Sequence, residues 1–320
     1  MWMGVALLIF SGTRISVKIA PAGLWTMQTT SAPLQLHPRP WIWQGHRTEY
    51  IHAGPPTGIP LVLIHGFGAS WGHWRRLIPW LAADYPVYAL DLLGFGCSDK
   101  PRLSYCTQLW QAQVAAFCQE IVAAPAVLVG NSLGGYVSLS VAAHTPDLVA
   151  GLVLLNSAGS FLQPTRRPWT AQLLGSLLRQ PLLCALLFLY LRQPQVIRAT
   201  LSKIYVNPEA ITPELVELIR RPSQDPGAMH VFISLLRGQG QGRPLAELLG
   251  QLRCPLLLLW GERDPWCDAR GRSRLYHQNY DQITEHFLPS GHCPQDDTPD
   301  LVAPPLLEWL RTQPRFQAAC

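Results

Sequence analysis

The chain reads as an α/β protein built on a mostly parallel sheet. Two observations carry that reading. Short, continuous apolar runs alternate with helical patterns along most of the length, and a single serine sits between glycines where one such run gives way to a helix. Continuous apolar runs of strand length belong to strands covered on both faces, and their alternation with helices marks a parallel sheet. Composition agrees: of 320 residues, 48% are hydrophobic and 14% charged, which suits a sizeable core and argues against disorder.

In chain order, "TEYIHAG" (48–54), "PLVLIHG" (60–66) and "PVYALDL" (86–92) read as strands, as do "AVLVGNS" (126–132) and "GLVLLNSAG" (151–159). "PLLLLWGERD" (255–264) and "EHFLPSGH" (285–292) are the last two. Helical patterns lie over 73–83, with Leu77, Trp80 and Leu81 on one face, and over 109–122, 133–146 and 299–313. The "PP" of the last stretch is expected to break that helix or to start it at Pro305. Between about 160 and 245 the alternation stops, and leucine-rich helical segments and prolines replace it. This predicts a core over 41–159 and 246–320, a helical cap over 160–245, and an N-terminal extension over 1–40.

Several function classes drop out early. The net charge is +5, but Lys and Arg are scattered, with "RR" at 75–76, 166–167 and 220–221 and no longer basic block. A nucleic-acid partner would need a clustered stripe or a reading motif. The cysteines are Cys97, Cys106, Cys118, Cys184, Cys254, Cys267, Cys293 and Cys320. None forms C-x-x-C or pairs with histidines at zinc spacing, so free thiols in a reducing, cytoplasmic compartment are expected, with no metal. The apolar run at residues 4–10 is too short to span a bilayer and lacks the charged flank of a secretion signal. Residues 1–26 therefore read as an over-extended start before Met27 or a loose tail.

The stretch "VLVGNSLGGYVSL" (127–139) places Ser132 between Gly130 and Gly134, a G-x-S-x-G pattern in which a strand turns sharply into a helix with the serine at the apex. A serine hydroxyl is a poor nucleophile at neutral pH. It needs a base, an acid to orient that base, and N–H donors for the oxyanion. Asp264 follows a strand directly in "LLLLWGERDPW", with Glu262 as a competitor, and Asn156 ends the preceding strand without an acid. His292 follows the last strand in "FLPSGHCPQDD"; His286 lies inside that strand, and Cys293 reads as a neighbour, not a nucleophile. The backbone N–H of Leu133, the residue after the serine, is one candidate oxyanion donor. The loop after the early strand, "LIHGFGAS", offers Phe67 as the second, next to His65 and Gly66, with His65 bracing the loop.

The order Ser132, Asp264, His292 is that of α/β-hydrolases. With "HGFGAS" (65–70), "DLLGFGCSDKP" (91–101), "GNSLGG" (130–135), "GERDPW" (261–266) and "SGH" (290–292), the chain resembles that family over roughly 41–320. The resemblance implies an α/β-hydrolase fold with an eight-stranded sheet, a cap inserted between the sixth and seventh strands, and a serine hydrolase that needs no cofactor. "DLLGFGCSDKP" also resembles a segment of haloalkane dehalogenases and epoxide hydrolases, which use an aspartate at the elbow where this chain has Ser132. More narrowly, "WIWQGHRTEYIHAG", "LIHGFGASWGHWRRLIPWLA" and "VLVGNSLGGYVSLSVAA" are similar to plastid and cyanobacterial pheophytinase and chlorophyll dephytylase-like hydrolases.

The substrate is addressed through the cap. "PLLCALLFLYL" (181–191) is apolar on every helical face, whereas an exposed helix carries a polar stripe. It is expected to pack inside the protein and to form a greasy wall for a small hydrophobic ester, long-chain or phytyl, with peripheral membrane contact through the cap as a further expectation. Rival readings are acyl transfer or perhydrolysis on the same triad, a ligand-binding receptor of this fold, and C–C bond hydrolysis of a dienoate, which would call for a cap arginine such as Arg192, Arg198 or Arg237.

Overall fold

A computed structural model describes residues 36–159, 180–236 and 242–317. The expectations for the N-terminal extension before residue 36, for the first part of the cap (160–179) and for Arg237 lie outside these residues. Among the described residues eight strands form one sheet: β1 (Arg39–Trp43), β2 (His46–Ala53), β3 (Leu61–Ile64), β4 (Val87–Leu90), β5 (Ala126–Asn131), β6 (Val149–Leu155), β7 (Leu256–Gly261) and β8 (Ile283–Leu288). Their order is β1-β2-β4-β3-β5-β6-β7-β8. β1 and β2 form an antiparallel hairpin, β2 runs antiparallel to β4, and every pairing from β4 to β8 is parallel. The sequence reading missed β1. Its signal was the turn Gln44-Gly45, both at positive φ (50° and 79°), as a two-residue hairpin turn requires.

The sheet is apolar on both faces because successive side chains alternate sides. In β5, Leu128 points into the core layer shared with Trp110, Val114 and Phe117. Val127 and Val129 point into the opposite layer with Trp74, Leu81, Leu306 and Trp309. The whole strand is buried, which is why it reads as one apolar run and not as an alternating one.

The expected helix over 73–83 is a 3₁₀ turn, Trp71–Trp74, followed by a short helix α1 (Ile78–Leu81). Pro79 falls in the first turn of α1, where a missing N–H costs nothing, and so resets the run. Helix α2 spans Thr107–Phe117 and ends in a π turn, Cys118–Val122; α3 spans Leu133–His144. Between β6 and β7 the cap contributes α4 (Pro181–Leu191), α5 (Pro194–Ile204), α6 (Pro213–Arg220) and α7 (Ala228–Leu236). Prolines punctuate it, because α4, α5 and α6 each begin on one. The core resumes with α8 (Leu245–Leu249), α9 (Ala269–His277), α10 (Pro294–Asp297) and α11 (Pro299–Thr312).

Two expectations need correction. Pro304 and Pro305 do not interrupt α11, which runs through them. They lie away from the buried face of Val302, Ala303, Leu306, Trp309 and Leu310, and burial of that face holds the helix. Nor is α4 packed inside. Cys184 and Phe188 are buried, but Leu182, Leu183, Leu186, Leu189 and Tyr190 are exposed.

Beside the sheet's carboxyl edge two histidines are held neutral. Burial lowers the pKa of His65 to about 4 and that of His73 to about 3, with the Arg75 guanidinium adding to the second. A histidine whose folded pKa lies below its unfolded value binds fewer protons folded than unfolded, so its contribution to stability is present above pH 6.5 and is lost as pH falls towards the folded pKa. Each such histidine supplies a slope of about 1.4 kcal/mol per pH unit within that window. Thermal unfolding followed from pH 6.5 to 4 is expected to weaken less steeply in His73→Phe than in the parent, and equal slopes would refute the assignment.

Candidate active site

Ser132 stands between β5 and α3 with φ 53° and ψ −115°. A non-glycine residue rarely adopts this region, and it persists only where the surroundings determine it. Here they do. A Cβ on Gly134 would collide with the Ile64 carbonyl, and one on Gly130 would lie 2.5 Å from the Gly134 carbonyl oxygen. The Ser132 N–H donates to Leu155 O at 3.1 Å, and its carbonyl accepts from Ala158 N at 2.8 Å and Tyr136 N at 3.2 Å. The turn is thus pinned to β3, β6 and its own helix.

The loop after β3 passes directly beside the serine: a Cβ on Gly66 would lie 3.3 Å from the Ser132 Cβ. His65 is fully buried. Its Nδ1 donates to Gly66 O at 2.7 Å, and its Nε2 accepts from Leu92 N at 3.1 Å. This is the neutral tautomer that its lowered pKa demands, and it ties the β3 loop to the β4 loop. Phe67 follows, its ring 5.7 Å from Phe95 and 6.4 Å from Phe232 of the cap. Leu133 is the first residue of α3, a position whose N–H has no intrahelical acceptor. Leu133 thus follows the serine directly, and Phe67 follows the glycine that packs against it.

Asp264 and His292 meet at the ends of β7 and β8. His292 Nδ1 lies 2.5 Å from Asp264 Oδ2, and the Asp264 side chain is fully buried. The other carboxylate oxygen accepts from Trp266 N at 2.8 Å. The Trp266 ring stands edge-on to the imidazole at 4.8 Å, so one tryptophan restrains both partners. Glu262, the competing acid, pairs instead with Arg270 on the surface at 2.5 Å, and His286 stays in β8 opposite Leu259. Burial pushes the Cys293 thiol well above its ordinary pKa, which leaves it a poor nucleophile. Among the described residues no group of three or more His, Cys, Asp or Glu could hold a metal ion.

Three side chains that the sequence reading did not assign hold the histidine loop. Asn131, next to the serine, donates from its amide to Leu155 O at 3.1 Å and to His292 O at 2.9 Å, joining the serine turn to the histidine loop. Asn156 donates to Gly291 O at 2.9 Å and accepts from Gly261 N at 2.7 Å. A carboxylate at 156 would lack the donor that Gly291 O needs. Asp297 accepts from Val206 N at 2.8 Å and Asn207 N at 2.9 Å, while Ile204 O accepts from His292 N at 2.8 Å. The cap is thereby latched to the histidine's own backbone. Apart from the bond to Leu155 O, these contacts span 88 to 161 residues of sequence, so no local pattern announces them.

Between the β3 and β4 loops and the cap lies a cavity of about 70 Å³ lined by Phe67, Phe95, Phe188, Ile219, Val231 and Phe232 among others. Lys100 also borders it, with its ammonium held by Gly96 O, Ser98 O and Asp225 at 2.9–3.0 Å.

Removing the Asp297 carboxylate would strand the Val206 and Asn207 N–H groups. Asp297→Ala is expected to cost about 3 kcal/mol, the loss of two charge-assisted bonds, read as a lower urea midpoint. An unchanged midpoint would show that the latch carries no stability.

The family model described as "alpha/beta hydrolase fold" matches residues 59–299. Chloroplastic pheophytinase of Arabidopsis thaliana is 27% identical over 310 residues, covering 83% of this chain and 64% of its own, so the chain spans less than two thirds of that relative. A haloalkane dehalogenase of Mycobacterium marinum is 31% identical over 281 residues, covering 82% of this chain and 88% of its own. Among solved structures, a bacterial membrane phospholipase A aligns with a TM-score of 0.70 and 28% identity over 87% of both chains. The relatives' names denote different bonds, but the fold, the motif order and the family match agree: this chain belongs to the α/β-hydrolase family.

Proposed function

We propose that the protein is a serine hydrolase that cleaves carboxylic esters of hydrophobic substrates. One observation carries the reading: a serine, not a carboxylate, occupies the strained turn, and the ends of β7 and β8 supply a histidine–aspartate pair joined at 2.5 Å. Asp264 holds the imidazole with Nδ1 towards itself and stabilises the imidazolium once it forms. Nε2 of His292 then takes the Ser132 proton as Oγ attacks the carbonyl carbon. Negative charge gathers on the carbonyl oxygen between the N–H groups of Leu133 and Phe67. The imidazolium protonates the departing alcohol, and the same nitrogen activates the water that releases the acid.

The apolar cavity wall favours an ester over the charged dienoate of a C–C hydrolase. Among the described residues the one cation that borders the cavity, Lys100, already pairs with Asp225. Of the cap arginines, Arg198 donates to Ile211 O and Arg192 lies 5.8 Å from the Phe188 ring.

The decisive assay compares the protein with Ser132→Ala on p-nitrophenyl esters of rising chain length, pheophytin a and chlorophyll a. The variant is expected to lose roughly 10⁴-fold or more in kcat. kcat/KM is expected to rise about fourfold per methylene over the first few carbons, the increment that one buried CH₂ supplies. Much faster turnover of short, water-soluble esters would overturn the hydrophobic-substrate reading. Absence both of turnover and of fluorophosphonate labelling at Ser132 would overturn the catalytic one and favour a ligand receptor.

A further inference from the structure

Helix α4 has two apolar faces. Cys184 and Phe188, four residues apart, are buried; Phe188 packs on Phe232 of α7 at 5.4 Å and lines the cavity beside Phe67. Leu182, Leu183, Leu186, Leu189 and Tyr190 form the opposite side, with Leu182 70% and Leu186 54% exposed. At a turn of 100° per residue these five fall within one arc of about 120°. A water-facing helix surface should be polar there, and contiguous exposed apolar patches of this kind mark contact sites.

The neighbouring charges say what fits. From Gln180 to Pro208 there is no acidic residue, while Arg192, Arg198 and Lys203 are cationic, the last two exposed on α5. A second copy of the same face would bring cations against cations. An anionic lipid surface complements both features, accepting leucines below the headgroups and cations at their level. The tyrosine suits the boundary between them. Eleven residues cannot cross a bilayer, and among the described residues no helix is long and apolar enough to do so.

We infer that α4, flanked by the cations of α5, docks the protein peripherally on anionic lipid bilayers. The inference goes beyond the esterase reading and does not depend on which bond is cleaved. Because Phe188 reaches the cavity from the reverse side of the docking helix, the cavity would lie one helix diameter from the lipid.

Full-chain protein carrying Ser132→Ala, which removes turnover from the experiment, is co-sedimented with phosphatidylcholine vesicles with and without phosphatidylglycerol. The expected result is partition into the anionic vesicles that weakens with added salt. Leu182→Glu with Leu186→Glu should reduce it at least about tenfold, since two leucines are withdrawn from the lipid. Arg198→Gln and Lys203→Gln should each reduce it about fivefold, the effect of one charge near such a surface. Both leucines are exposed, so thermal midpoints are expected to match the parent's and confirm that the variants fold. Three results would overturn the inference: no partition, partition untouched by the glutamates, or a concentration-dependent dimer in light scattering that the glutamates dissolve while vesicles are ignored.

Discussion

The left-handed backbone at Ser132 is the constraint on which the rest of the site depends. Such a conformation costs on the order of 1–3 kcal/mol and needs over-determination by its surroundings. The glycines provide it by letting α3 lie against β3 and β5 at backbone distance, and any Cβ at 130 or 134 would push the helix away. Gly135 extends the same contact, since a Cβ there would lie 2.7 Å from Ser157 Oγ. Burial of α3 along nearly its whole length is the consequence. A helix pressed this closely on a sheet has no solvent face, which explains its lack of an amphipathic stripe.

The histidine is held by a different kind of force. Where the serine turn rests on packing, the loop around His292 rests on buried polar bonds from Asn131, Asn156, Asp264 and Asp297. Buried polar networks carry a high penalty when one member is missing and a well-defined geometry when all are satisfied. That would suit the base proposed at His292, whose ring would have to be aimed. The serine needs only a fixed apex, which strands and glycines supply.

These two modes of support explain what the sequence could reveal. Ser132 and Asp264 each follow an apolar run and His292 follows the last strand, so strand pattern and chain order place them before any coordinates. Asn131 looks like motif filler, Asn156 like an empty acid position and Asp297 like helix-start polarity, because their partners lie far along the chain. Trp266 was visible in "GERDPW", but its double hold on Asp264 and His292 appears only in three dimensions. The course of α11 through Pro304–Pro305 was illegible for a related reason: burial of one face outweighs two lost backbone bonds on the other. Helix α4 is apolar all round, and a pattern without a polar side cannot say which side is buried.

The cap's attachments also differ along its length. Towards the histidine it is fixed by Asp297 and by the Ile204 carbonyl. Helix α7 and the turn before it are fixed to the β4 loop by three polar contacts: Lys100 with Asp225, Tyr105 N with Ser234 Oγ, and His230 with Leu103 O. Helix α4 rests on α7 through a small apolar cluster built on Phe188, Ala228 and Phe232. Dispersion and burial hold such a contact without fixing its orientation, whereas the charged and backbone bonds elsewhere do fix it. The cap thus combines polar bonds that fix its geometry at the histidine with apolar packing at the cavity wall. The base proposed at His292 would need the first, and a pocket for the hydrophobic esters proposed as substrates would be served by the second.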